Sequence, residues 1–200
     1  MKILIVDTET INLDKPFIYD IGYVIYDTEK QGIVHKKSYV ISQVFGNKML
    51  FATSYYNQKL GLYFERLKSK YSKKVGWKNA MRFIANDIKK FNVEKVYAFN
   101  SRFDSRAFNF MCAWFKCANP LATLEFCDIM QDIKKFTNTQ DYKDFCVENG
   151  FLTKHENPRP QQNAETVYKY ITNNLEFVEE HTGLEDSIIE LDILLYAWGL

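Results

Sequence analysis

The sequence predicts an α/β fold built on a mixed β-sheet, and two observations support this class. Three segments rich in apolar, aromatic and β-branched residues, at 2–6, 17–26 and 34–42, follow one another, and a turn-forming stretch separates the second from the third. From residue 80 onward, strand-like and helix-like patterns alternate. Neighbouring strands followed by strand–helix units are typical of a sheet that is covered by helices.

Each predicted element has its own signal. Residues 2–6 are apolar on both faces, which indicates a central strand that is buried on both sides. Gly22, in the second strand, would permit a bulge or a close approach by another part of the chain. The strand at 93–99 runs directly into a helix that starts near Ser101. The remaining elements are a strand at 124–127 and helices at 80–91, 129–136, 142–149, 164–172 and 184–198.

Composition and charge narrow the classes of function. The chain has 200 residues, of which 46% are hydrophobic and 26% are charged, and its net charge is +1. These values are typical of one globular domain spanning 1–200 and exclude a disordered chain. The longest apolar run near the start, at 3–6, is too short for a signal peptide or a membrane span. We therefore expect a soluble, cytoplasmic protein.

The first candidate site is the sequence Asp7-Thr8-Glu9-Thr10, at the carboxyl end of the most apolar strand. Because side chains alternate along a strand, Asp7 and Glu9 should project from the same face. Two carboxylates held this close repel each other unless a cation lies between them, and hard divalent cations prefer oxygen ligands. The motif indicates a metal site, with a solvated strand end as the alternative.

The second candidate is Asp104, in the stretch Asn100-Ser101-Arg102-Phe103-Asp104. Ser101 and Asp104 match a helix-capping pattern, which would give Asp104 a purely structural role. However, Asp104 also heads an apolar stripe that continues through Phe108 and Met111. A stripe of this kind should face the core, and a lone carboxylate there is costly unless something neutralises it.

The third candidate pair is His181 and Asp186. Thr182 and Glu185 form a capping pattern, so the last helix should begin there. His181 then lies on the preceding loop, whereas Asp186 lies in the first turn and shares an inward-facing stripe with Ile189. Acidic groups at strand ends and helix starts, together with one histidine that titrates near neutrality, are typical of a two-metal hydrolase acting on phosphodiesters.

The order and spacing of these motifs resemble a known family. The sequence D-T-E-T near the amino end, then N-x-x-F-D, then H-x-x-x-x-D resembles the DEDDh 3′→5′ exonucleases, which include the proofreading subunit of bacterial replicative polymerases. The chain also resembles exonucleases carried by phages, which would place it in a host cytoplasm. The resemblance implies an RNase H-like fold, with a mixed five-stranded sheet flanked by helices.

The resemblance also implies roles for individual residues. Asp7, Glu9 and Asp186 would hold one Mg²⁺ or Mn²⁺ ion, and Asp7 would bridge to a second ion that Asp104 supports. His181 would be the general base that takes a proton from the attacking water. The product would be a 5′-mononucleotide released from a free 3′ end.

Contacts to the substrate are expected around the first two motifs. Thr8, Thr10 and Asn100 would lie beside the terminal nucleotide, and Leu13 would occupy the place of an apolar wedge against the terminal base. Phe103 would supply a stacking surface, with simple core packing as its alternative.

The near-zero net charge hides a basic, aromatic-rich excursion at about 45–90. Ten basic and two acidic residues lie between 59 and 90, a local net charge of +8. The aromatic residues in or beside this stretch include Tyr55, Tyr56 and Tyr71. Lysines attract phosphates and aromatic faces stack on unpaired bases, so we expect Lys70, Lys73 and Lys74 to bind the incoming strand. A solvated helical face is the alternative.

These expectations identify single-stranded DNA as the leading substrate. An exoribonuclease acting on short RNA would share all five catalytic residues, so it remains open. A catalytically silent module that binds single strands is a third possibility, but such a module would be expected to lack a metal ligand or the histidine, and this sequence retains them all.

Overall fold

The computed structural model describes residues 1–54 and 57–200, and the predicted aromatic positions Tyr55 and Tyr56 lie outside that description. Its centre is a six-stranded mixed sheet in the order β4-β3-β2-β1-β5-β6. The strands are β1 Lys2–Thr10, β2 Ile18–Asp27, β3 Gly32–Ile41, β4 Lys73–Val75, β5 Lys95–Ala98 and β6 Glu125–Asp128.

The predicted α/β class and mixed sheet are confirmed. Strand β1 pairs antiparallel with β2 and parallel with β5, which places it in the interior of the sheet. The sheet has one strand more than the five predicted from the sequence. This strand, β4, is only three residues long and pairs in parallel with the end of β3. A segment this short carries no readable periodicity, and it lies within the predicted basic excursion.

The described ranges contain ten α-helices. They are α1 Ser42–Phe45, α2 Lys48–Ala52, α3 Leu60–Lys68, α4 Trp77–Phe91, α5 Ser101–Trp114, α6 Ile129–Asp132, α7 Lys134–Thr137, α8 Gln140–Glu148, α9 Ala164–Thr172 and α10 Gly183–Trp198. The single helix predicted at 129–136 is therefore two short helices that meet at Ile133. None of these helices is long and apolar enough to cross a membrane.

The alternation of side chains along β1 divides the core into two clusters. Leu4 and Val6 belong to a cluster that includes residues of α4 and α5, whereas Ile3 and Ile5 belong to a cluster that includes residues of α10. Continuing the same alternation, Asp7 and Glu9 point towards the side of α10, and Thr8 points towards the side of α5. The second motif lies at the start of α5, and the third lies at the start of α10. The alternation along β1 therefore directs Thr8 towards the second motif, and Asp7 and Glu9 towards the third.

Candidate functional site

The first motif forms the last part of β1. The strand extends to Thr10 rather than ending at residue 6, so Asp7 and Glu9 are held by regular pairing with β2. Glu9 is buried and Asp7 is partly exposed. Their shared face of the strand therefore presents two carboxylates whose positions are determined by the sheet.

A contact between two glycines brings α10 onto the sheet beside this motif. Gly22 pairs with Asp7 across the β1–β2 ladder, and a Cβ atom added to Gly22 would lie 1.9 Å from the main chain of Gly183. A Cβ atom on Gly183 would lie 2.4 Å from the main-chain nitrogen of Gly22. Real side chains never approach so closely, so only glycine permits this contact. Of the two alternatives predicted for Gly22, the structure therefore shows the close approach by another part of the chain and not the bulge.

The third motif meets the first at this point. One ligand atom each from Glu9, His181 and Asp186 lie within 4.8 Å of one another. His181 precedes α10 with a left-handed φ of 52°, and Asp186 is buried in the first turn of the helix. The predicted helix start is confirmed, with Thr182 at the N-cap position. The hydroxyl of Thr182 donates to Glu185 at 2.9 Å instead of accepting a main-chain N–H.

Asp104 is a buried residue held by the first motif and not a helix cap. The hydroxyl of Thr8 donates to its Oδ1 at 2.7 Å, and the main-chain N–H of Thr8 also donates to this carboxylate. The N-cap of α5 is Asn100, and its N–H group donates to Asp128 at the end of β6. The capping interpretation of Ser101 and Asp104 is therefore wrong, and the inward-facing stripe is confirmed by burial.

Burial and mutual repulsion raise the pKa values of these carboxyl groups. Burial raises the pKa of Asp186 to about 9 and that of Asp104 to about 7. The pKa values of Asp7 and Glu9 are also raised, first by burial and then by neighbouring carboxylates. Such groups remain charged at neutral pH only if a cation compensates them.

Glu190 is a further buried carboxylate, which the sequence analysis missed. It lies one helical turn after Asp186 and is only 4% exposed. Burial raises its pKa, and the nearby charges of Asp104 and Asp186 raise it further. The spacing of four residues from Asp186, within an apolar helix face, was a signal that could have identified it.

The donor set fits divalent cations such as Mg²⁺ or Mn²⁺. Asp186 Oδ1 and Glu190 Oε2 are buried side-chain oxygens without a hydrogen-bond partner in the described parts of the chain. Unpartnered buried oxygens are rare in folded proteins, and hard divalent ions take carboxylate oxygens as ligands. Lys59 also lies near this set, because its positive charge lowers the pKa values of Glu9 and Asp186. From the sequence, Lys59 was recognised only as one of the basic residues of the excursion.

A second acidic pair lies against His181. The Nδ1 atom of His181 is 3.6 Å from Glu179 Oε2, and Glu165 accepts the main-chain N–H of Glu179 at 3.2 Å. Burial, and then the charge of Lys59, lower the pKa of His181. A lowered pKa keeps the imidazole neutral at neutral pH, which is the state required of a general base.

Two of the predicted substrate residues, Leu13 and Phe103, are linked to each other by Arg106. Leu13 is 70% exposed, and Phe103 is half-buried and belongs to neither core cluster. The Arg106 guanidinium lies 5.6 Å from the Phe103 ring centroid and donates to the Leu13 carbonyl at 2.8 Å, so it joins the two. Asn100 is exposed at the start of α5, and the Thr10 hydroxyl donates to a main-chain carbonyl two residues later.

The basic excursion divides into an exposed part and a neutralised part. Lys70, Lys73 and Lys74 are exposed, and the first two line a cavity of about 580 Å³. Other residues that line this cavity include Lys36, Lys37, Tyr71 and Leu184. Arg66 is buried instead, and it pairs with carboxylates of the α10 region. The charge of Arg66 is therefore compensated by carboxylates of the protein, so the excursion is not a uniform basic surface.

Comparisons with known proteins establish the fold. No family model matches the chain, and no curated protein matches it. The solved nuclease domain of 3′hExo, a DEDDh family member bound to rAMP, is similar over 99% of this chain and 92% of its own, with a TM-score of 0.59 and 11% identity. A full-length 3′-exonuclease is similar over 99% of this chain and 82% of its own, with a TM-score of 0.64 and 13% identity.

Exonuclease I of E. coli, solved with a dA16 oligonucleotide, is a further structural match. It is similar over 97% of this chain but only 40% of its own, with a TM-score of 0.53 and 14% identity. At such identities the similarity concerns the fold alone. The RNase H-like architecture expected from the three motifs is thereby confirmed.

Proposed function

We propose that this chain is a metal-dependent 3′→5′ exonuclease that hydrolyses single-stranded DNA and releases 5′-mononucleotides. The observation that carries the proposal is the meeting of Glu9, His181 and Asp186 within 4.8 Å, on a fold shared with exonucleases. Residues from two distant parts of the sequence converge there. The raised pKa values of Glu9 and Asp186 indicate that no group of the protein fully compensates these carboxylates.

Four carboxylates would hold two divalent ions, Mg²⁺ or Mn²⁺, in this proposal. They are Asp7, Glu9, Asp104 and Asp186. When bound, such ions lower the pKa of water and stabilise charge on the oxygens of a phosphodiester. A ring nitrogen of His181 accepts the proton of the attacking water, and its lowered pKa keeps it ready to do so.

The remaining residues bind and orient the strand. Leu13 and Phe103 contact the terminal base, since Leu13 is exposed and Arg106 links the two. Thr10 and Asn100 line the terminal nucleotide, whereas Thr8 contributes by holding Asp104. The exposed side chains of Lys70, Lys73 and Lys74 attract the upstream phosphates.

An exoribonuclease is the second candidate function. It is favoured by the 3′hExo nuclease domain, which is bound to rAMP and is matched over nearly its whole length. We place DNA first, and the sugar preference depends on the space for a 2′-hydroxyl beside Leu13 and Phe103. A silent single-strand-binding module is the third candidate, and it predicts binding without cleavage.

The test uses a 5′-labelled single-stranded DNA and the matching RNA, each incubated with Mg²⁺, with Mn²⁺ and with a chelator. The proposal expects a ladder that shortens from the 3′ end only when a divalent ion is present. Faster shortening of the RNA would replace DNA by RNA as the substrate. Binding of both strands without any shortening would instead establish the silent module.

A further inference from the structure

One guanidinium bridges both ends of the segment that carries the proposed general base. Arg66 Nη2 donates to Glu180 Oε2 and Arg66 Nη1 donates to Glu185 Oε2, each at 2.7 Å. Glu180 immediately precedes His181, and Glu185 immediately precedes Asp186. Arg66 is only 9% exposed, so both bonds are shielded from solvent on its side. Charge-assisted bonds of this kind are about twice as strong as neutral ones.

The same segment of chain makes two further direct contacts to residues 180–185 and one indirect contact through Asp20. Tyr71 donates its hydroxyl to Glu185, and the Lys59 ammonium donates to the main-chain carbonyl of Glu180. Tyr63 donates to Asp20 Oδ2 at 2.9 Å, and the same oxygen accepts the Gly183 N–H at 3.1 Å. Residues 59–71, which include α3, therefore contact residues 180–185, which form the end of the loop and the first turn of α10, from one side. We call this set of contacts the α3 clamp.

The loop needs an external restraint because its backbone is strained. His181 has a φ of 52°, in the left-handed region that residues with a Cβ atom seldom adopt. Such a conformation is unfavourable for a residue with a Cβ atom and persists only where the surroundings determine it. The α3 clamp supplies contacts on both sides of the strained residue.

We infer that Arg66 is a positioning residue for His181, acting through Glu180 and Glu185 to hold the imidazole beside Glu9 and Asp186. This inference rests on the proposed exonuclease function, and it gives the α3 segment a role other than contacting the nucleic acid. Arg66 lies within the basic excursion, but its two carboxylate partners leave no charge for a phosphate.

The central test is the variant Arg66→Gln, assayed by two separate measurements. Cleavage of saturating single-stranded DNA in Mg²⁺ should slow by about 10- to 100-fold, because displacements near 1 Å in an active site have effects of this size. The dissociation constant for the same strand, measured with Ca²⁺ in place of Mg²⁺, should change by less than about twofold. Arg159→Gln, the same change at an exposed arginine of the loop at 153–163, is the matched control and should alter neither value.

A double-mutant cycle identifies the path of the effect. Glu180→Gln removes one carboxylate partner of Arg66, so its effect and that of Arg66→Gln should not multiply in the double variant. If the two effects do multiply, Arg66 does not act through Glu180. Tyr71→Phe removes a single hydroxyl from the α3 clamp and should slow cleavage by about two- to fivefold, which keeps the test available if Arg66→Gln does not fold.

An activity-independent readout comes from the imidazole resonances of the three histidines, His35, His155 and His181. In Arg66→Gln only the signals of His181 should shift, because only this ring loses its support. Unchanged signals and an unchanged saturating rate would overturn the inference. Weaker strand binding with an unchanged saturating rate would overturn it too, by making Arg66 a strand contact. If the wild-type protein cleaves neither strand, the proposed function fails, while the histidine signals still test the positioning.

Discussion

Two regions of this protein meet at the start of α10, and they differ in how they compensate the carboxylates of this helix. In the α3 clamp, Glu185 faces Arg66, and its pKa is lowered by the hydroxyls of Tyr71 and Thr182 and by Arg66, against a raising effect of burial. In the candidate metal site, burial and neighbouring carboxylates raise the pKa of Asp186 to about 9. These two residues are adjacent in the sequence, so the difference comes from the side of the helix each one faces.

Carboxylates that are compensated within the protein differ in their energetics from those that are not. A buried charge with a protein cation beside it is part of the architecture, and its partners complete it. A buried carboxylate oxygen with no partner, such as Asp186 Oδ1 or Glu190 Oε2, costs stability in the free protein. Such a cost is typical of a site that binds a positively charged ligand, because the ligand compensates the carboxylates.

The largest expected effect comes from removing a carboxylate of the candidate metal site. Asp7→Ala should lower turnover by about 10³-fold or more, equivalent to about 4 kcal/mol of transition-state stabilisation, because metal ions contribute several kcal/mol of this kind. Strand binding should change little. Asp141→Ala, at an exposed position in α8, is the control. Unchanged turnover in Asp7→Ala would remove this residue from the site.

A second test of the comparison is the stability of the metal-free protein as a function of pH. Carboxyl groups in unfolded chains have pKa values near about 4, whereas Asp104 and Asp186 have values of about 7 and about 9 in the folded protein. The folded state therefore binds more protons, and the free energy of unfolding should fall as the pH rises through 7 to 9.

Chemical denaturation with chelator at pH 6, 7.5 and 9 measures this trend. Excess Mg²⁺ should remove most of the decline, since an ion that binds only the folded state stabilises it. A metal-free stability that is constant across this range would show that the carboxylates are compensated within the protein, as in the α3 clamp.

Glu190 and Glu185 provide a matched pair with opposite expected signs. In metal-free protein at pH 9, Glu190→Gln should raise the free energy of unfolding, because it removes a buried carboxyl group whose pKa is raised by burial. At pH 5 the gain should be smaller, because a carboxyl group with a raised pKa costs the folded state less free energy as the pH falls. Glu185→Gln should instead destabilise the protein at both pH values, since it leaves Arg66 with one partner. Two effects of the same sign would contradict the comparison.

The smallest effect is expected at the exposed lysines. Replacing Lys70, Lys73 and Lys74 together by Ala should weaken binding of single-stranded DNA and reduce the salt slope by about 2, from about 0.7 for each lost phosphate contact. The matched triple, Lys116, Lys134 and Lys143 to Ala, removes exposed charges elsewhere and should leave the slope unchanged. An unchanged slope in the first triple would exclude these lysines as the strand path.

Local sequence patterns predicted most helices and strands because the periodicity of apolar residues reflects which face of each segment is buried. Helix α9 begins and ends at the predicted residues, and α10 begins one residue earlier than predicted. The single helix predicted at 129–136 failed because Ile133, an apolar residue, offers no signal of a break. Strand β4 was missed because its three residues form a strand only by pairing with the end of β3.

The sequence alone predicted which acidic residues share a strand face and which turn towards the core. The alternation of a strand places Asp7 with Glu9, and apolar stripes turn Asp104 and Asp186 inward, because these periodicities are properties of the backbone. The sequence also carried the order of motifs that resembles the DEDDh exonucleases.

How these residues meet, and which of their charges are compensated within the protein, depends on contacts between distant parts of the chain. The contact of Gly22 with Gly183 seats α10 beside β1, and it depends on two positions 161 residues apart. The partners of Arg66, Glu180 and Glu185, are 114 and 119 residues away in the chain, so the linear sequence did not show that its charge is paired. Compensation of a charge depends on distances through space, and a linear pattern does not contain them.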